Sequence, residues 1–197
     1  MFRESYNAHM FAWQVRPVLG AFIASDYWAS TALDYIDKTY GDPKDFIHAI
    51  AIAPYVGNSG DMAEIDNDEL TLDVLFDWMH NRIDSTVVPW IKQHKAVADR
   101  YGIKLHSYEA GQHLQALDGT NEELKLAAQS DARMGDVYEH LIRAWHENSG
   151  GGIFGNFSLA TPPSRFGHWG LLTSIDQETS VKWEAVMEAM GTQKYPG

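Results

Sequence analysis

Apolar and polar positions along the chain alternate between two periods. Phe2, Tyr6, Met10 and Trp13 recur at helical spacing and predict an opening helix. "VRPVLGAF" (15–22) reads as a strand entering a loop, with a proline that allows an extended segment but weakens the strand pattern. "YWASTALDYIDKTYG" (27–41) returns to helical period and stops at Gly41, a residue suited to a helix terminus. "FIHAIAIAPYVG" (46–57) is almost wholly apolar, the pattern of a strand covered on both faces, and it ends at Pro54 and Gly57. Residues 70–101 are helical in period, and Pro89 predicts a break or kink that makes two helices of them. "IKLHSYEAG" (103–111) reads as a third strand. The stretch 121–152 reads as helix until "GGG", and "IFGNFSLA" (153–160) reads as a fourth strand. "TPPSRFGHWG" (161–170) is a loop, and "TSVKWEAVMEAM" (179–190) a closing amphipathic helix.

A leading helix followed by four strand–helix units predicts an α/β protein with a parallel sheet and helical crossovers, in one domain over residues 1–197. Four such units make either an open doubly wound sheet or half of a (β/α)8 barrel. The loop after the first strand, "GAFIASDYW", lacks the glycine pattern of a dinucleotide fold, and no phosphate-binding loop of the G-x-x-x-x-G-K type is present.

Charge and composition narrow the function. The 197 residues carry a formal charge of −12 with only 15 Lys plus Arg, which disfavours nucleic acid and anionic membranes as partners. No apolar run reaches the roughly 18–20 residues that span a bilayer. Residues 1–13 lack the apolar stretch of a signal peptide, so a soluble chain is expected, with its compartment left open. With no cysteine, disulfides and thiolate metal sites are excluded. Nine histidines are present without the H-E-x-x-H spacing, so neither a metal site nor a cofactor is expected.

In parallel α/β folds the reactive groups gather at the carboxyl ends of the strands. Here those ends are "LGAFIASDYW", "APYVGNSGD", "YEAGQH" and "GNFSLATPPSRFGHWG", all rich in aromatic, amide, imidazole or carboxylate groups. Glu109, at the end of the third strand, is the leading chemical candidate. A carboxylate there can serve as nucleophile, base or stabiliser of a cationic transition state, or equally as a structural acceptor.

Taken in order, "AIAIAPYVG", "KLHSYEAGQHL" and "GNFSLATPPSRFGHWGLLTSIDQETSVKWEAV" resemble the last strands of clan A glycoside hydrolases, and more closely a group of glycoside-hydrolase-like, cellulose-binding-type bacterial proteins. In that group a "YEGGQHL"-like motif closes the seventh barrel strand, and a "WGSWGAL" segment with an S-x-K helix closes the eighth; "VRPVLGAF" resembles the fifth. The resemblance implies the C-terminal half of a TIM barrel, strands five to eight, and a carbohydrate partner. It places Glu109 as nucleophile, Tyr55 and Trp169 on the sugar-binding face, His113 within reach of a hydroxyl, and Trp28 as a further wall. Each aromatic, taken singly, also suits core packing.

Two departures stand out. Ala110 occupies the second position of "EGG", and no Asn-Glu pair closes a strand ahead of "VRPVLG" to supply an acid/base. Asn121–Glu122 reads instead as a helix-capping segment. Glycoside hydrolysis uses two carboxyl groups, about 5–5.5 Å apart for retention or about 6.5–9.5 Å for inversion. Asp26, Asp61, Glu64 and Asp118 lie in loops expected at the same end, with nothing to choose among them. Whether the chain is an enzyme or a non-catalytic carbohydrate-binding protein with a vestigial site therefore stays open. Four parallel strands with open edges also predict self-association, or a companion chain that completes the barrel.

Overall fold

A computed structural model describes residues 15–57 and 59–192. The expected opening helix around Phe2–Trp13 lies outside the described residues. The rest is an α/β arrangement in which every strand pairing is parallel.

β1 (Val18–Gly20) pairs with β2 (Ala49–Ile52), which pairs with β4 (Lys104–Ser107), in the order β1-β2-β4. A second, two-stranded sheet joins β3 (Tyr55–Val56) to β5 (Gly111–Gln112). The two expected strands 46–57 and 103–111 are thus each cut in two. Ala53–Pro54 interrupts the first, because proline has no amide to give a ladder. Tyr108–Ala110 interrupts the second at the same level, although the Tyr108 amide still reaches Ile52 O at 3.1 Å. The sheets are small and open.

Register decides what each face meets. Leu19, Ile50, Ile52 and Leu105 share one parity and pack into the helical layer. Val18, Ala49, Ala51, Lys104 and His106 share the other. That face is half open, with Val18 and Lys104 exposed.

α1 (Tyr27–Tyr40) matches its expected span, and Gly41 ends it at φ 109°, donating to Ile36 O at 3.2 Å. A short turn, α2 (Ser59–Met62), follows β3. α3 (Leu72–Arg82) is capped by the Thr71 hydroxyl. It passes through a π-helical stretch (Ile83–Val87) into α4 (Val88–Arg100). The backbone therefore does not turn away at Pro89. The wide π turn comes just before it, and Pro89 falls in the first turn of α4, where a missing amide costs little.

The long helix expected from 121 divides into α5 (Glu122–Ala128) and α6 (Ala132–Ser149), with the Asp131 carboxylate capping the second. α7 (Val181–Thr192) closes the described chain. Among the described residues no helix is long and apolar enough to cross a membrane.

"IFGNFSLA" is not a regular strand. Residues 152–157 run beside β4, yet only two backbone bonds link them to that stretch: Ser107 N–H to Ile153 O at 2.8 Å and Phe157 N–H to Ala110 O at 2.9 Å. The Ile153 amide goes to His106 Nδ1, at 3.1 Å, where a ladder would offer a carbonyl. Close approach explains the irregularity. A Cβ on Gly152 would overlap the Leu105 carbonyl oxygen, and one on Gly155 would sit 2.9 Å from Ser107 O. Trp145, buried under this segment, fixes it by donating its indole N–H to Gly152 O at 2.9 Å.

Candidate functional site

The two strand breaks lie side by side, and Glu109 occupies one of them. It stands where β4 gives way to β5, just past a regular strand end and not within it. The Ser107 hydroxyl holds this bend by donating to Glu109 O at 3.0 Å. Ala110 is fully buried and keeps a negative φ, so the departure from glycine at this position costs no backbone strain; the next residue, Gly111, takes φ 137°.

Tyr55, the first residue of β3 just past the neighbouring break, faces Glu109. Burial foremost, and the Glu109 carboxylate next, hold the Tyr55 phenol far above the ordinary phenol range. Tyr108 is raised by the same two causes in the same order. Glu109 thus shares a hydrogen bond and a charge interaction with the Tyr55 phenol, and a charge interaction alone with the exposed Tyr108.

From Tyr55 a line of rings leads across the site. The His113 ring lies 5.1 Å from Tyr55 and 5.3 Å from Trp169, and Trp169 meets Phe157 edge-on at 5.8 Å. The backbone anchors the imidazole, with His113 N–H donating to Val56 O at 2.7 Å. Burial lowers the His113 pKa, so near neutral pH the ring is uncharged and can donate and accept one hydrogen bond each. The loop carrying Trp169 is pinned to the His113 loop by Ala116 N–H to Arg165 O at 2.9 Å and Gln115 Nε2 to Phe166 O at 3.1 Å.

Four of the five residues singled out from sequence therefore meet: Glu109, Tyr55, His113 and Trp169. Trp28 does not join them. It is 67% exposed on the first turn of α1 and packs edge-on against Tyr27 at 5.1 Å.

Three of the four candidate second acids are engaged elsewhere. Asp61 pairs with Arg82 at 2.5 Å, Glu64 accepts the Trp78 indole at 2.9 Å, and Asp118 accepts Thr120 N–H at 3.0 Å. Asp26 stands at the N-cap position of α1 without a side-chain cap bond. Asn121 does not cap α5 with its side chain. It adopts a left-handed conformation, and its amide ties down the 63–71 loop by donating to Asp66 Oδ1 at 2.8 Å and Asn67 O at 3.0 Å.

Beneath the rim lies a buried polar layer that the sequence reading missed. Gln112 donates to His168 O and to Gln129 Oε1, and Lys182 donates to the same two oxygens at 2.9 and 3.0 Å. The available signal was Lys182 on the apolar stripe of an amphipathic helix, three residues before the buried Ala185. His80 and His140 form another unforeseen contact, their Nδ1 atoms 2.9 Å apart, with His140 Nε2 3.0 Å from Asp84. Among the described residues, no group of three or more His, Asp and Glu could hold a metal ion.

His168 makes a pH prediction. Burial, then the Lys182 and Lys125 charges, lower its pKa from 6.5 to about 4. The unfolded chain takes up this proton at higher pH than the folded one. Stability present above pH 6.5 is therefore lost as pH falls from 6.5 towards 4. Tm followed over that window should drop more steeply in the native chain than in His168→Gln.

No protein-family model and no curated protein matches this chain.

Proposed function

We propose that this chain is a glycoside-hydrolase-like protein that acts on carbohydrate at Glu109. The observation that carries the reading is a strand-end carboxylate paired with the Tyr55 phenol, at the head of the Tyr55–His113–Trp169 line of rings. Sugars present apolar ring faces beside hydroxyl edges, and aromatic planes next to hydrogen-bonding groups suit both. In this role Glu109 attacks the anomeric carbon or stabilises an oxocarbenium-like transition state.

A second reading, a non-catalytic carbohydrate-binding protein, is favoured by one specific observation: three of the four candidate acids, Asp61, Glu64 and Asp118, are each held by other partners, and no contact among the described residues joins the fourth, Asp26, to Glu109. Incubation with aryl glycosides and polysaccharides separates the two. Aglycone or reducing-end release that depends on Glu109 supports hydrolysis. Glycan affinity that quenches tryptophan fluorescence without release supports binding. Neither result would overturn both.

The parallel order β1-β2-β4, with residues 152–157 alongside β4, also supports the half-barrel proposal. In it, β1 and residues 152–157 are the free edges, and a second copy or a companion chain covers the half-open face. Light scattering on the purified chain should show an assembly larger than 22.2 kDa, or a monomer that gains thermal stability with its companion. A stable monomer indifferent to concentration and to any co-expressed partner counts against it.

A further inference from the structure

Trp169 turns towards His113, and the preceding residue, His168, turns the other way. It lines a cavity of about 40 Å³ behind the rim, together with Ser130, Thr161, Gly170, Ser180 and Lys182. Lys182 is only 4% exposed. Both acceptors of its ammonium are neutral oxygens, the side-chain carbonyl of Gln129 and the main-chain carbonyl of His168. None of the ion pairs among the described residues includes it, whereas the other buried lysine, Lys125, pairs with Asp66 at 2.6 Å. A buried charge is ordinarily met by a counter-charge, and an ammonium carries three donors.

Two further features face the same space. Ser180 caps the amino end of the twelve-residue α7, accepting Trp183 N–H at 3.1 Å, so the positive end of that helix adjoins the cavity. His168, 3% exposed, has its Nδ1 buried without a partner. Burial and the lysine charges keep its ring neutral at ordinary pH, and burial alone brings Lys182 down to about 8, still charged at pH 7. Lys182 therefore sets a buried positive charge beside the cavity in a chain whose formal charge is −12, while the acid of the first turn of α7, Glu184, lies exposed and accepts the Thr179 hydroxyl at 2.9 Å.

We propose that this cavity binds one small inorganic anion of halide size, held by Lys182 Nζ and the amino end of α7. Volume sets the size. One water needs about 10–15 Å³ of such space, so the cavity admits a monatomic anion with a water or two. Its occupant joins the loop of Thr161 and Gly170 to the end of α5 and the start of α7, and so stiffens the segment that presents Trp169. The site stands independently of any chemistry at Glu109.

Bromide is the probe. Crystals of the full chain soaked in bromide should give an anomalous peak within hydrogen-bonding reach of Lys182 Nζ. In solution, Tm should rise saturably with bromide at constant ionic strength maintained with methanesulfonate. Lys182→Met should weaken the bromide midpoint at least tenfold. An empty cavity with peaks only at surface lysines overturns the proposal. So does a cavity peak without any Tm response, which is binding at crystal concentration only, or an unchanged midpoint in folded Lys182→Met. If that variant does not fold, the native anomalous map and Tm series decide.

Discussion

Under the proposed hydrolytic role, Glu109→Gln is expected to reduce glycoside release by roughly a thousandfold or more, the scale on which removal of a nucleophile acts, with little change in thermal unfolding. The substitution keeps shape and removes charge. The bend itself survives, because Ser107 Oγ donates to the main-chain carbonyl of residue 109, not to the carboxylate. What changes is the electrostatic partner of Tyr55 and Tyr108, since the carboxylate helps to raise both phenols. Ultraviolet titration should therefore show tyrosine ionisation at lower pH in the variant, and this readout does not depend on finding the right sugar. Turnover undiminished in folded Glu109→Gln would remove the nucleophile role, and an unchanged tyrosine titration would remove the pairing as well.

Trp145→Ala is expected to destabilise the fold by about 3–5 kcal/mol, the usual cost of emptying a large aromatic site in a core. Trp145 is 1% exposed and among the largest fully buried side chains. Its ring lies 6.1 Å from Phe154, and its indole N–H holds Gly152 O at 2.9 Å. The loss is of packing and of the anchor that presses residues 152–157 against β4, so Phe157, and with it the outer side of Trp169, should loosen too. Urea denaturation measures the first effect. Trp145→Phe separates the two causes, since it retains most of the packing and forfeits the hydrogen bond, for about 1 kcal/mol. A cost below 1 kcal/mol in the alanine variant would show that the segment is held some other way.

These two residues show how unevenly the molecule could be read from its sequence. Glu109 was legible because a carboxylate closing an apolar run is unusual, and parallel α/β folds place such ends together. Trp145 was not, since a tryptophan in a helical pattern announces burial without saying what it touches. Gly41 could be identified as a helix terminus because φ 109° is a local demand. Asn121 was legible as the start of a helix, but the partner of its side chain was not, because it is not local: Asp66, 55 residues earlier in the chain, takes it. "IFGNFSLA" has the composition of a strand, yet Gly152 and Gly155 let it approach β4 too closely for a regular ladder. Trp28 shares its residue type with Trp169 and, like it, follows a segment with the pattern of a strand, but α1 leaves it on the surface.

What the chain's pattern settled alone was the alternation of parallel strands and helices, most helix ends, and the position of an acid at a strand terminus. Each follows from the preferences of neighbouring residues for burial, turn or extension. Only the tertiary structure decided that both long strands break at one level, that Tyr55, His113 and Trp169 line up beside Glu109, and that Lys182 is buried without a carboxylate. Most of those outcomes depend on packing between segments 50 or more residues apart, and periodicity along the chain reports only whether a side chain is buried, never which distant partner covers it.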